Sequence, residues 1–284
     1  MLASATCEGE PIGSPFCFAL FFWADESIGA GLSRLSARSL WQSDWEITSM
    51  SVSSDPIRLT WPRAVVFDLD GTLIDSAGDI ADVLNDCLAE DDIAPFDEPA
   101  VVSMIGGGAR VLVERALERL DRRGDSVLLE RLVHKFAARY EALGAGRSRA
   151  FPGAEDALAM LHGRGVGLAI CTNKPEHITG RVLADLGLGR WFGTVIGESP
   201  RLPRKPAPDM LLAALAGLGA RPEDAVMIGD SAADIGTAKA AGVASIAVTF
   251  GYTTIPPREL GADAVIERFE ELELSLARLA GTAS

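Results

Sequence analysis

Residues 63–76 read RAVVFDLDGTLIDS, and this stretch decides the fold. Ala64, Val65, Val66 and Phe67 form a short unbroken apolar run, the pattern of a parallel strand buried on both faces, and the Asp70-Gly71 pair ends it. Asp68 and Asp70 therefore emerge at the carboxyl end of a strand, where open α/β sheets place their ligand crevices. Two acids so close repel each other unless a cation or a shared proton offsets the charge. A hard divalent cation is the simpler account, and Mg²⁺ suits it, taking one or two carboxylates, water and a substrate phosphate oxygen. The competing reading is an Asp-rich turn that only caps a helix starting near Asp75-Ser76.

Outward from this strand the pattern turns helical. Ile80, Val83, Leu84, Cys87 and Leu88 recur at helical spacing, as do Val111, Leu112, Ala116, Leu117 and Leu120, and then Leu128, Leu132, Phe136 and Tyr140. No strand-like run interrupts residues 80–148. After it, strands predicted at 166–172, 194–197, 225–230, 244–250 and 264–266 alternate with helices at 154–163, 176–187, 208–218 and 232–241. Such alternation implies a parallel sheet with helices on both faces. The expected architecture is α/β: a Rossmann-like, doubly wound parallel-sheet core formed by residues 63–79 and 149–284, carrying an inserted α-helical cap at 80–148.

Residues 1–62 form an N-terminal extension of different character, expected to be poorly ordered. Three of the five tryptophans (Trp23, Trp41, Trp45) and two of the four cysteines precede Met50, among Ser and Gly with little periodicity. The apolar run 16–24 is too short to span a bilayer and lacks a basic flank, so neither a membrane anchor nor a secretion signal is expected. Met50 resembles an ordinary start, and residues 1–49 are expected to be dispensable.

A net charge of −14 argues against nucleic acid as a main partner. Cys7, Cys17, Cys87 and Cys171 show no metal-ligand spacing, which fits a reduced, cytoplasmic compartment. Cys171 reads as a buried structural thiol, and His134, His162 and His177 as ordinary surface or packing residues. A monomer or homodimer, away from membranes, is expected.

If the sheet is doubly wound, other strand ends should converge on Asp68 and Asp70. Thr172, Asn173 and Lys174 close the second core strand and offer a hydroxyl, loop amides and a helix start, a combination suited to phosphate oxygens. In RLPRKPAPD, residues 201–209, prolines stiffen the loop that presents Lys205, an ammonium able to neutralise charge on a transferring phosphoryl group. Asp230 ends a further strand and suits a metal shell, while Asp234, on the next helical turn, is either a supporting residue behind the metal or a favourable acid near a helix amino terminus.

Taken in order, DLDGT at 68–72, Thr172, Lys205 and GDSAADI at 229–235 resemble the motifs of the haloacid dehalogenase-like superfamily over residues 63–284. The resemblance implies that Asp68 is a nucleophile forming an aspartyl-phosphate and that Asp70 protonates the leaving oxygen and then activates water. It further implies that Thr172 and Lys205 hold the phosphoryl group, and that Mg²⁺ binds Asp68, the Asp70 backbone carbonyl and Asp230. Asp70 argues against the dehalogenase branch, which needs no such acid, and Thr72 leans away from the β-phosphoglucomutase branch. The segments MIGGGARVLVERAL at 104–117, CTNKPEHIT at 171–179, VIG at 195–197 and VTFGYT at 248–253 resemble phosphoglycolate phosphatases.

On that resemblance, the partner is expected to be a small phosphorylated metabolite, 2-phosphoglycolate, hydrolysed to glycolate and phosphate. Gly106 and Gly108 of the cap would approach an anion with their amides, and Arg110 would pair with a carboxylate or else lie on a helix surface. Gly107 departs from the family's larger middle residue and puts specificity in question more than catalysis. The alternatives are another small phosphate ester, such as a sugar phosphate, nucleotide or pyrophosphate, and more remotely a non-catalytic phosphate-binding module.

Overall fold

The computed structural model describes residues 61–281. Strand β1 (Ala64–Phe67) is followed by a two-residue strand β2 (Ile74–Asp75) and by helices α1 (Ala77–Ala89), α2 (Glu98–Val102), α3 (Gly108–Arg119) and α4 (Ser126–Leu143). The chain returns through β3 (Arg149–Ala150), α5 (Ala154–Gly163), β4 (Gly167–Pro175), α6 (Glu176–Asp185), β5 (Thr194–Glu198) and α7 (Asp209–Leu218). It ends with β6 (Ala225–Gly229), α8 (Ala232–Ala241), β7 (Ala244–Val248), β8 (Ala264–Ile266) and α9 (Leu272–Gly281).

Six strands form one parallel sheet in the order β5-β4-β1-β6-β7-β8, so β1 lies between β4 and β6. Alternate residues of β1 serve different faces, as the two-residue period of a strand requires. Val65 and Phe67 join Leu158 and Leu161 of α5, Val182 of α6 and Leu276 of α9 in one apolar cluster. Ala64 and Val66 join Met210, Ala214 and Leu215 of α7 and Ala238 of α8 in the other. Every residue of β1 is fully buried, which explains why its sequence is a continuous apolar run and not an alternation.

The expected strands and helices of the core are present, with small differences. The strand expected to end at Thr172 continues to Pro175, because after an irregularity in register Pro175 pairs with Glu198 of β5. Helices α1 to α4 make up the cap, and their apolar faces, including Leu84, Leu112, Leu132 and Phe136, belong to the larger cluster. The first cap helix starts at Ala77, ahead of the first periodic residue, Ile80. Just before it, β2 pairs antiparallel with β3, so the two connections to the cap run side by side. The expectations for residues 1–60 lie outside the described residues. At the edge of that segment Trp61 packs under the Arg164 guanidinium, 4.2 Å from ring centroid to Cζ.

Candidate active site

The parallel order carries Asp68, Thr172 and the Gly229-Asp230 turn to the same edge of the sheet, from three adjacent strands. Asp68 leaves β1 with its N–H donating to the Ile228 carbonyl at 2.9 Å, and the chain then turns at Gly71, where φ is +83°. A Cβ at Gly71 would lie 2.6 Å from Asp230 Oδ2 and 2.9 Å from the Tyr252 ring, so only glycine fits there.

Lys205 is almost wholly buried and sits between two carboxylates. Its Nζ lies 2.5 Å from Asp234 Oδ1 and 2.9 Å from Asp68 Oδ1, and it donates to the Cys171 carbonyl at 2.8 Å. Burial works against the charge, but Asp234 and Asp68 hold the ammonium well above its ordinary range. Asn173 fixes the loop: its side-chain amide donates to the Lys205 carbonyl at 3.2 Å and accepts from the Lys205 N–H at 3.0 Å. Both ends of the Asn173 side chain are thus engaged with Lys205, which it positions. Thr172 is buried beside it, its Oγ1 accepting from the Lys174 N–H at 3.2 Å.

Asp68, Asp230 and Asp234 are all buried and bring ligand atoms within 4.8 Å of one another. Burial, then Asp234, raises the Asp68 carboxyl to about 6, and burial, Asp234 and Asp68 raise Asp230 well above the usual carboxylate range. Asp234 is the least suited of the three to bind a metal directly. Its Oδ1 is taken by Lys205, and its Oδ2 accepts from the Ser231 N–H at 2.9 Å and the Ser231 hydroxyl at 2.6 Å, in a capping box at the start of α8. Asp234 thus holds Lys205 and caps the start of α8.

Asp68 Oδ1 is buried and accepts no hydrogen bond, with the Lys205 ammonium beside it at 2.9 Å as an ion pair. Asp230 Oδ1 has only a long contact, 3.4 Å, from the Thr72 hydroxyl. Two buried carboxylate oxygens, one accepting no hydrogen bond and one with only a long contact, fit a divalent cation held by Asp68 and Asp230.

Asp70 is tied differently. It accepts from the Ser76 hydroxyl at 2.7 Å and from Lys174 Nζ at 2.8 and 2.9 Å. Lys174 also donates to the Tyr140 hydroxyl of α4 at 3.0 Å and sits 4.2 Å from that ring's centroid. Together with Asp68, Asp70, Thr172 and Lys205, these residues line a cavity of about 70 Å³ under the cap. Gly106 and Gly108 line it as well, and Gly108, with φ +80°, would bring a Cβ to 3.1 Å from the Asn173 carbonyl. The cap loop therefore lies against the core site.

Arg110 is not brought there. Its guanidinium donates to Glu130 at 2.7 and 2.8 Å on the outside of the cap, so the expected pairing with a substrate carboxylate gives way to a surface ion pair, the helix-surface alternative. Arg110→Ala is expected to change kcat/KM by no more than about 2-fold, the usual reach of a surface substitution; a loss above about 10-fold in steady-state assays would put Arg110 back in the site.

Tyr252 and Lys174 complete the site; the sequence gives neither a role of its own, naming Lys174 only within the cluster suited to phosphate oxygens and Tyr252 only within VTFGYT. The Tyr252 N–H donates to Asp230 Oδ2 at 2.6 Å, while its hydroxyl accepts from the Ser76 and Ala77 N–H groups at 2.7 and 3.1 Å and donates to Asp75 at 2.7 Å. It joins the metal-facing acid to the first cap connection. Cys171 is buried, and burial pushes its thiol up to about 12, in keeping with a structural role.

The sequence profile of the haloacid dehalogenase-like hydrolases matches residues 62–242. The chain belongs to this family. Among curated haloacid dehalogenase-like relatives, a protein of Rhodospirillum rubrum named phosphoglycolate phosphatase is 44% identical over 216 residues, covering 74% of this chain and 89% of its own. One of the same name from Mesorhizobium japonicum is 41% identical over 213 residues, covering 75% and 94%. A crystal structure from Haemophilus somnus, described as a predicted phosphoglycolate phosphatase, superposes with a TM-score of 0.70 at 28% identity, covering 76% of this chain and 99% of that one. The chain is thus a hydrolase with a Rossmann-like core and a helical cap, and no helix among the described residues is long and apolar enough to cross a membrane.

Proposed function

We propose that the protein is a Mg²⁺-dependent phosphatase that hydrolyses 2-phosphoglycolate to glycolate and phosphate. The observation that carries this reading is the convergence of Asp68, Asp70, Thr172 and Lys205 on one small cavity closed by the cap, in a chain whose curated relatives bear that activity in their names.

In this reading Asp68 attacks phosphorus and forms an aspartyl-phosphate, splitting one difficult displacement into two easier ones. Lys205 and the Thr172 hydroxyl hold the phosphoryl oxygens, with Lys205 fixed in place by Asp234 and by Asn173. Asp70 gives a proton to the departing alkoxide and takes one from the water that cleaves the acyl phosphate. Asp68 and Asp230, with the Asp70 backbone carbonyl, would hold Mg²⁺, which when bound neutralises charge on the phosphoryl group and on the buried acids. Gly106 and Gly108 line the cavity on its cap side. The same reading has the protein working in the cytoplasm, as a monomer or homodimer.

Phosphate release is to be measured against a panel of 2-phosphoglycolate, sugar phosphates, nucleotides and pyrophosphate, with Mg²⁺ and after chelation. The highest kcat/KM is expected for 2-phosphoglycolate, with activity lost to chelator and restored by Mg²⁺. In thermal melts, Mg²⁺ at about 100 times its Kd should add about 2.7 kcal/mol of stability. A sugar phosphate or nucleotide at the top of the panel would overturn the substrate, and full activity in chelator would overturn the metal.

A further inference from the structure

Lys174 closes β4 as a buried cation at the boundary between core and cap. Its neighbours around the cavity include Ile80, Leu112, Phe136 and Ile178, an apolar lining in which an ammonium is costly unless a negative group meets it. It meets Asp70 on one side and the hydroxyl and ring face of Tyr140 on the other. Lys205 is the other cation lining the cavity, and it is engaged at the phosphate end by Asp68, Asp234 and the Cys171 carbonyl. Lys174 is the second buried cation of the cavity and stands on its Asp70 and cap side.

We propose that the Lys174 ammonium reads the leaving group, selecting phosphate esters whose alcohol carries a carboxylate one methylene beyond the scissile oxygen. This rests on the reading of the protein as a phosphatase in which Asp70 serves the leaving oxygen. Asp70 must reach that oxygen, and Lys174 touches Asp70 at 2.8 Å, so a group one carbon further on falls within its reach. Arg110, the other basic residue considered for this task, is held outside by Glu130. Tyr140 comes from the cap, so the cap sets where the cation points while the core supplies it. The arrangement divides the labour between two lysines: Lys205 serves the phosphoryl group that all substrates of the enzyme share, and Lys174 serves the group that distinguishes them.

The test compares 2-phosphoglycolate with two esters of nearly the same size and no carboxylate, its amide and 2-hydroxyethyl phosphate. Wild-type enzyme should prefer the carboxylate ester by roughly 10- to 100-fold in kcat/KM, the scale of one hydrogen bond to a charged group. In Lys174→Met this ratio should collapse towards one, mainly through a higher KM for 2-phosphoglycolate, and Lys174→Arg, which keeps the charge, should restore part of it. A residue that only steadies Asp70 would lower kcat for all three esters together, and an unchanged ratio in Lys174→Met would overturn the proposal while leaving the phosphatase reading intact. If Lys174→Met does not fold, the wild-type comparison still decides, because equal rates on the acid and its amide contradict a cation that selects the carboxylate. No Mg²⁺-dependent release from any ester would instead remove the phosphatase reading itself.

Discussion

Replacing Asp68 by Asn is expected to lower phosphate release by roughly 10⁴-fold or more, because an amide cannot form the acyl phosphate and the remaining residues only bind and polarise. The loss should fall on kcat, since Lys205 and Thr172 are still present to bind the phosphoryl group. The same change should not destabilise the metal-free protein. Asp68 is buried, burial and then Asp234 raise its carboxyl to about 6, and Asn removes a charge that is expensive to keep there. Steady-state assays and thermal melts on one preparation separate the two effects. A variant with rates within about 10-fold of wild type would show that Asp68 is not the nucleophile, and an inactive variant with a sharply lower Tm would reduce the result to unfolding.

Lys205→Met should lose both activity and stability. The ammonium stands between Asp68 and Asp234, the latter fully buried, and removing it leaves two acids with no cation between them. Breaking a buried pair on one side costs about 3–5 kcal/mol, far more than a surface ion pair contributes. For a domain of this size that is a fall in Tm on the order of 10 °C. Mg²⁺ should recover part of the stability by offsetting the same charge, but not the activity, because the phosphoryl oxygens lose their lysine. Melting curves with and without Mg²⁺ check the prediction. An unchanged Tm would mean that the cluster is neutral in the folded protein without Lys205.

The sequence was most legible where one residue type answered one constraint. The apolar run 64–67 could only be a strand buried on both faces, and the helices expected at 154–163 and 232–241 are α5 and α8 to the residue. Asp68, Thr172 and Asp230 share an edge because parallel connectivity forces neighbouring strand ends together, and Lys205 reaches them on the loop after β5, held by Asn173. Strands β2 and β3 left no sequence signal because two residues carry no periodicity, and only their tertiary pairing makes them strands. Arg110 was ambiguous because its partner, Glu130, lies 20 positions away on another helix.

Tyr252 was hidden for a related reason: its contacts span 22 residues to Asp230 and 176 to Ser76, beyond any local pattern. Lys174 carried a usable signal. A lysine directly following Thr172 and Asn173, at the end of a strand buried on both sides, had to find a carboxylate, and Asp70 was the nearest site acid without an assigned partner.

In the proposed mechanism Asp68 carries the phosphoryl group between the two half-reactions, and everything else in the site serves that transfer. Turnover of 2-phosphoglycolate with Mg²⁺, quenched in acid during the steady state and followed by peptide mass mapping, tests it most directly. A mass increase of one phosphoryl group on the peptide containing Asp68, labile to hydroxylamine and missing from Asp68→Asn, is the predicted result. Rapid release of phosphate with no modified peptide at any quench time, or with the label on another residue, would contradict it.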